Sequence, residues 1–136
     1  MVETIPNCFY RISTKALVRD DTKTKILLLK EDNNKWDLPW WWLDFGNTPQ
    51  QDIKRELQEE TWLETIRIAD RPSYFTTMEK FEKWFWIANI IYEAKLKDLN
   101  FTKSNECQTL WFFTKKEALK LDLFPNVKAL LDQLDI

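Results

Sequence analysis

Three glutamates grouped in one helical stretch are the residues of this chain best suited to chemistry. Glu56, Glu59 and Glu60 lie in the run from Leu38 to Glu64, LPWWWLDFGNTPQQDIKRELQEETWLE. The second half of that run predicts a helix, with Thr48 as N-cap, Pro49 at the first helical position and Gln51 completing a T-x-x-Q capping box. At roughly 100° per residue from Glu56, Glu60 falls near about 40° and Glu59 near about 300°, with Ile53 and Leu57 near about 60° and about 100°. The glutamates thus share a narrow face beside an apolar stripe, and Gln50, Lys54, Gln58 and Thr61 face mainly water. Carboxylates crowded beside a core repel one another, and burial disfavours their charge. Arg55 can pair with Glu59 along the helix, but it sets one positive charge against three negative ones. A hard divalent cation such as Mg²⁺, held by carboxylate oxygens and bridging to a substrate phosphate, would supply the remainder. For R-E-L-x-E-E taken alone, a solvated helix with ordinary i,i+4 pairs is the alternative.

The order of residues goes further. Arg55-Glu56-Leu57-Gln58-Glu59-Glu60-Thr61, followed by Trp62-Leu63, resembles the second half of the Nudix box, G-x5-E-x7-R-E-U-x-E-E-x-G-U, where U is a bulky aliphatic residue. Leu38-Pro39, Leu43-Asp44-Phe45-Gly46 and Thr48-Pro49 resemble the run that precedes the box helix in that family. The resemblance implies an α+β fold, the Nudix-like α/β/α sandwich with a mixed central sheet and the box loop-helix motif. It implies Mg²⁺-dependent hydrolysis, with Mn²⁺ as the alternative ion, of a nucleoside diphosphate linked to another moiety. Carried over residue by residue, Glu56, Glu59 and Glu60 would be metal ligands. Arg55 would orient Glu56 or Glu59, and backbone around Trp40, Trp41 and Trp42 would lie beside the diphosphate. Many relatives add a glutamate from a later segment as ligand or base. Glu106 is the best-placed candidate here, with Glu93 and Glu79 competing, and an exposed loop carboxylate is the plain alternative.

Three box positions depart from the pattern. Trp41 and Trp62 stand where glycines belong, and Asn47 stands where the first glutamate belongs. Trp40 and Trp42 also occupy positions that are usually glycine in close relatives. Glycine serves such a loop through permissive φ and close approach of backbone to ligand. Four indoles should instead fill the space that a diphosphate would enter. At an average of roughly 7%, a chain this long should carry about nine or ten glycines. It has one glycine and eight tryptophans. Two explanations follow: TGA codons read as Trp where the source lineage reads Gly, or a diverged relative that has lost turnover. The second makes the chain a Nudix-like module that binds a nucleotide or a protein, since an exposed indole cluster would form a natural interaction patch.

Length and composition bound the rest. The 136 residues suffice for one domain, 1–136, and are too few for two comfortable ones. A net charge of −2 gives no basic footprint for duplex nucleic acid, so a small-molecule nucleotide is the expected partner. Dimers are common in the family, which makes a homodimer the assembly to test. Zero histidines remove Ser-His and Cys-His mechanisms and His-based metal sites. Cys8 and Cys107 show no metal-ligand spacing and suit two reduced thiols. Neither a signal peptide nor a membrane span of roughly 18 apolar residues is expected, and the cytoplasm is the default location.

The elements that must position these groups are legible in outline. Residues 8–18 and 25–30 predict strands joined by a polar turn at 19–23, and together a hairpin ahead of the box. A polar loop, 31–35, leads to Trp36 and the loop before the helix. Residues 64–69 alternate, with Ile66 and Ile68 on one face; 74–77 resume an extended pattern. Residues 84–94 and 109–113 predict core strands, and 95–105 a loop. Thr114 to Glu117 has the shape of a helix cap, and Pro125 opens a last helix with Val127, Leu130, Leu131 and Leu134 on one face.

Overall fold

A computed structural model describes residues 10–79, 86–98 and 109–136, the side chains of Glu60 and Thr61 excepted. Cys8, Trp84, Glu106 and Cys107 lie outside the described residues.

Strand β1 (Tyr10–Leu17) forms within the predicted strand 8–18, and its last two residues point to opposite sides: Ala16 joins one core cluster and Leu17 the other. Strand β2 (Lys25–Lys30) is apolar on both sides, with Leu27 and Leu29 in the first cluster and Ile26 and Leu28 in the second. A short continuous apolar run of this kind is what a strand buried on both faces requires.

The expected β1–β2 hairpin does not form as a ladder. Strand β4 (Trp40–Trp42) takes one edge of β1 antiparallel, and β7 (Trp86–Leu96) takes the other edge parallel. With both edges of β1 occupied, β2 pairs with β3 (Trp36–Asp37) and β8 (Thr109–Thr114) in a second sheet. The chain bonds back to β2 where the turn leaves β1, through an Arg19–Ile26 bridge and the Leu27 N–H donating to Val18 O at 2.8 Å. Strands β5 (Thr65–Ile68) and β6 (Tyr74–Glu79) both pair antiparallel with β7. A register shift between Thr65 and Arg67 breaks the alternation predicted there. Thr65 is buried, Ile66 is exposed, and Ile68 packs on the first cluster.

Helix α1 (Pro49–Thr61) covers the first cluster with Ile53 and Leu57, both fully buried. Burial of each contributes about 1.5–3 kcal/mol. Helix α3 (Pro125–Gln133) brings Val127, Leu130 and Leu131 to the second cluster. The short α2 (Lys115–Ala118) begins with a full capping box between Thr114 and Glu117, as its sequence predicts. Mixed sheet between helices is the α/β/α layering expected from the sequence. Among the described residues, no helix is long and apolar enough to cross a membrane.

Candidate active site

The acidic helix is fixed at both ends. Thr48 Oγ1 accepts from the Gln51 N–H at 3.3 Å, and Gln51 Oε1 accepts from the Thr48 N–H at 3.2 Å, so the predicted capping box is present. Just before it, the turn is closed by the Asn47 N–H donating to Asp44 O at 3.3 Å, and Gly46 takes φ +84° there. Gln50, expected in water, is half-buried and donates through Nε2 to the carbonyls of Ala69 at 3.2 Å and Asp70 at 3.1 Å. It thereby ties the start of α1 to the end of β5. At the other end, Trp62 adopts φ 62° and ψ 17°, and its N–H donates to Gln58 O. This left-handed cap turns the chain so that Leu63 enters the core with no exposure.

Arg55 sits among the acids, but its first partner is one the sequence reading passed over. Its Nη2 lies 3.0 Å from Asp52 Oδ1 and 3.4 Å from Glu56 Oε1, and its Nη1 is 4.0 Å from Glu59 Oε2. The hydrogen bond to Asp52 and the nearby Glu56 and Glu59 charges hold the guanidinium protonated, above its ordinary range. Asp52 is 2% exposed, and its Oδ2 has no hydrogen-bond partner among the described residues. The same angular reckoning that grouped the glutamates puts Asp52 near about 320°, on their face, so the signal was available. The predicted Arg55–Glu59 pair is present at the limit of an ion pair, behind Asp52 and Glu56.

Carboxylate oxygens along one helix face have the chemistry of a hard-cation donor set. In donor type these residues fit Mg²⁺. Glu60 lies in the last turn of α1, and its side chain falls outside the described residues. Among those described, no group of three or more acids, histidines or cysteines is arranged to hold a metal ion. Of the three candidates for an added glutamate, Glu106 lies outside the described residues. Glu79 ends β6 exposed. Glu93 is held elsewhere, by Arg19 Nε at 2.8 Å and Ser73 Oγ at 3.3 Å.

The three consecutive tryptophans form strand β4 where the sequence predicts a loop. Extended backbone sends Trp40 and Trp42 to one face and Trp41 to the other. Trp41 is 6% exposed and belongs to the core cluster beneath α1, so it does not share the place of its neighbours. Trp42 stacks under the Arg11 guanidinium at 4.0 Å, and meets Trp40 edge-on at 5.1 Å. Trp40 lies 5.4 Å from Lys15 Nζ and donates through Nε1 to Glu31 Oε1 at 2.7 Å. Lys15 itself is buried and reaches both oxygens of Asp37 at 2.9 Å. Asn126 Nδ2 at 3.1 Å and the Leu38 N–H at 2.7 Å complete the shell of Asp37 Oδ1. This buried ion pair joins β1, β3 and α3; removing one partner of such a pair costs about 3–5 kcal/mol.

Burial raises the Glu31 carboxyl above its usual value of 4.5, only partly offset by the Trp40 hydrogen bond. A carboxyl raised in the folded state binds its proton more readily there than in the unfolded chain. Its ionisation therefore erodes stability as pH climbs from 4.5 through the raised value. Glu31→Gln keeps an oxygen for Trp40 and removes the charge. Its stability relative to the parent is expected to rise across that window and then level off. Denaturant unfolding at about pH 4 and about pH 7.5 reads this difference; a difference independent of pH would exclude Glu31 as the source.

A family model described as NUDIX domain matches residues 9–134. No curated protein matches the chain. Among solved structures, the chain is similar to a MutT protein from Methanosarcina mazei Go1, with 21% identity, a TM-score of 0.77 and 93% of each chain covered. It is similar to a MutT NUDIX hydrolase from Burkholderia pseudomallei at 18% identity and TM-score 0.76, over 92% of this chain and 98% of that one. The NUDIX domain of Shewanella oneidensis NrtR, in complex with ADP ribose, aligns at 18% identity and TM-score 0.69, over 91% and 85%. At these identities the structural likeness establishes the fold.

Proposed function

Because the chain belongs to the NUDIX family, whose members hydrolyse pyrophosphate bonds, we propose that it is a Mg²⁺-dependent hydrolase of a nucleoside diphosphate linked to another moiety. The observation that carries this reading is the acidic face of α1, with Arg55 inside reach of Asp52, Glu56 and Glu59. Glu56, Glu59 and Glu60 are the proposed metal ligands. Bound there, the cation would polarise phosphoryl oxygens and lower the pKa of an attacking water. Arg55 orients Glu56 or Glu59 by charge-assisted contacts. Asp52, anchored beneath it, fixes the guanidinium rather than touching substrate. The backbone at Trp40, Trp41 and Trp42 borders the proposed diphosphate position, and Glu106 is the proposed additional carboxylate. The substrate is a small nucleotide, and the cytoplasm is the proposed location.

Asn47 and the tryptophans support a second reading, a module that binds a nucleotide without turnover. Asn47 offers hydrogen bonds and no charge, and a NUDIX domain can hold a nucleotide-sugar ligand, as the NrtR complex with ADP ribose does. The two readings separate in one assay. A folded chain carrying Gly at positions 40, 41, 42 and 62 is mixed with Mg²⁺ and ADP-ribose, nucleoside triphosphates or dinucleoside polyphosphates. Product release supports the hydrolase; silence on every substrate leaves the binding module.

A further inference from the structure

A cavity of about 390 Å³ opens between the β1–β2 turn and the β5–β7 pair. Arg19, Lys23, Arg67 and Lys95 bring four positive charges to its wall, and Asp20, Asp21 and Glu93 bring three negative ones. The acids are mostly committed. Glu93 is held by Arg19 and Ser73. Asp20 Oδ1 accepts the Thr24 and Lys25 N–H groups, each at 3.0 Å, and its Oδ2 accepts from Thr22 Oγ1 at 2.7 Å. Lys23, Arg67 and Lys95 make no side-chain hydrogen bond or ion pair with any described residue.

Strand register sharpens the imbalance. Arg67 and Lys95 are direct partners in the antiparallel β5–β7 ladder, and like charges at facing positions repel. Close by on the same side of the ladder's end, Lys97 has an acid, Glu64, at 3.6 Å. Among the described residues, no acid pairs with Arg67 or Lys95 in the same way. A dianionic oxyanion would do so, since a guanidinium presents a planar fork to phosphate oxygens and an ammonium adds a point charge.

We propose that this cavity binds a phosphate group, as the free ion or as a monoester, with Arg67 and Lys95 as its main contacts. The site is separate from the acidic face of α1. Ala69, on the cavity wall, meets Gln50 at the start of α1, and Glu59 lies nine residues further, roughly 13 Å along the axis. A pyrophosphate-bond hydrolase releases phosphate-bearing products, so the cavity offers product a place away from the reacting carboxylates.

Thermal unfolding in metal-free buffer, with inorganic phosphate titrated at constant ionic strength against chloride, tests the proposal. The parent midpoint is expected to rise saturably, by on the order of 3 °C. Arg67→Glu places opposite charges across the ladder, so it should start at a higher midpoint and show no phosphate response. Lys95→Ala supplies the same loss if Arg67→Glu fails to fold. Adenosine monophosphate in place of phosphate separates the sources: the probe that saturates at lower concentration identifies the free ion or the ester. A parent that shows no saturable shift, or a shift that survives in both variants, overturns the proposal. Failure of nucleotide turnover would leave this response untouched, so the two readings fail separately.

Discussion

Glu59→Gln is expected to lower kcat of the Mg²⁺-dependent reaction by on the order of a hundredfold or more, while the fold stays intact. The side chain is mostly exposed, and it approaches Arg55 Nη1 only to 4.0 Å. Removing its charge therefore takes little from stability, because exposed pairs of this kind contribute about 0–1 kcal/mol. What the substitution removes is a hard anionic oxygen from the face proposed to bind the cation. A neutral amide keeps the shape and loses most of the attraction to Mg²⁺. The comparison belongs in a background with Gly at positions 40, 41, 42 and 62, with Mg²⁺ titrated for both chains. A shifted Mg²⁺ requirement together with low kcat assigns Glu59 to the metal. Near-normal rates at ordinary Mg²⁺ would remove it as a ligand. Glu93→Gln is the internal contrast: its carboxylate is committed to Arg19 and Ser73, and it should leave kcat near the parent value.

Local chemistry was the part of this structure legible in the sequence. The capping boxes at Thr48 and Thr114, Pro at the starts of α1 and α3, and the three-and-four spacing of Val127, Leu130 and Leu131 all act within one turn or two. They appear where the pattern placed them. What depends on distant partners was not legible. Nothing in residues 10–30 says that both edges of β1 will be taken by β4 and β7, so the natural guess of a hairpin fails. Lys15 reads as an outward polar residue of a strand, and only Asp37 and Asn126, far along the chain, make it a buried cation. Asp52 is the intermediate case. Its position on the acidic face follows from helix geometry, but its burial depends on the strands that pack against α1. The Nudix-like run names the three glutamates, and the buried carboxylate that anchors Arg55 lies between the motif's named positions.

Trp41→Gly is expected to cost about 3–5 kcal/mol of stability in the chain as it stands, the range for losing a large buried aromatic side chain. The indole is 6% exposed and packs in the cluster with Ile53, Leu57 and Leu63. Its backbone is extended and in register with Thr14, whose Oγ1 donates to Trp41 O at 3.3 Å, so glycine gains nothing in conformation there. Trp62 is the opposite case. It is 66% exposed and holds a left-handed φ of 62°, a conformation that costs an ordinary residue about 1–2 kcal/mol and glycine almost nothing. Trp62→Gly should therefore raise stability by about 1 kcal/mol. Denaturant unfolding of both variants reads the two signs. They bear on how the chain came to hold eight tryptophans and one glycine. A core selected around an indole must lose stability at position 41. A core selected around glycine, into which an indole has been translated, should lose little or gain by relief of overpacking. The coding DNA decides between the histories independently: TGA at positions 40, 41, 42 and 62 marks recoded glycines, and TGG marks tryptophans. If TGA coincides with a neutral Trp41→Gly, the native loop is open and the hydrolase reading gains. If TGG coincides with the full loss, β4 has been rebuilt around its indoles and the binding module moves ahead.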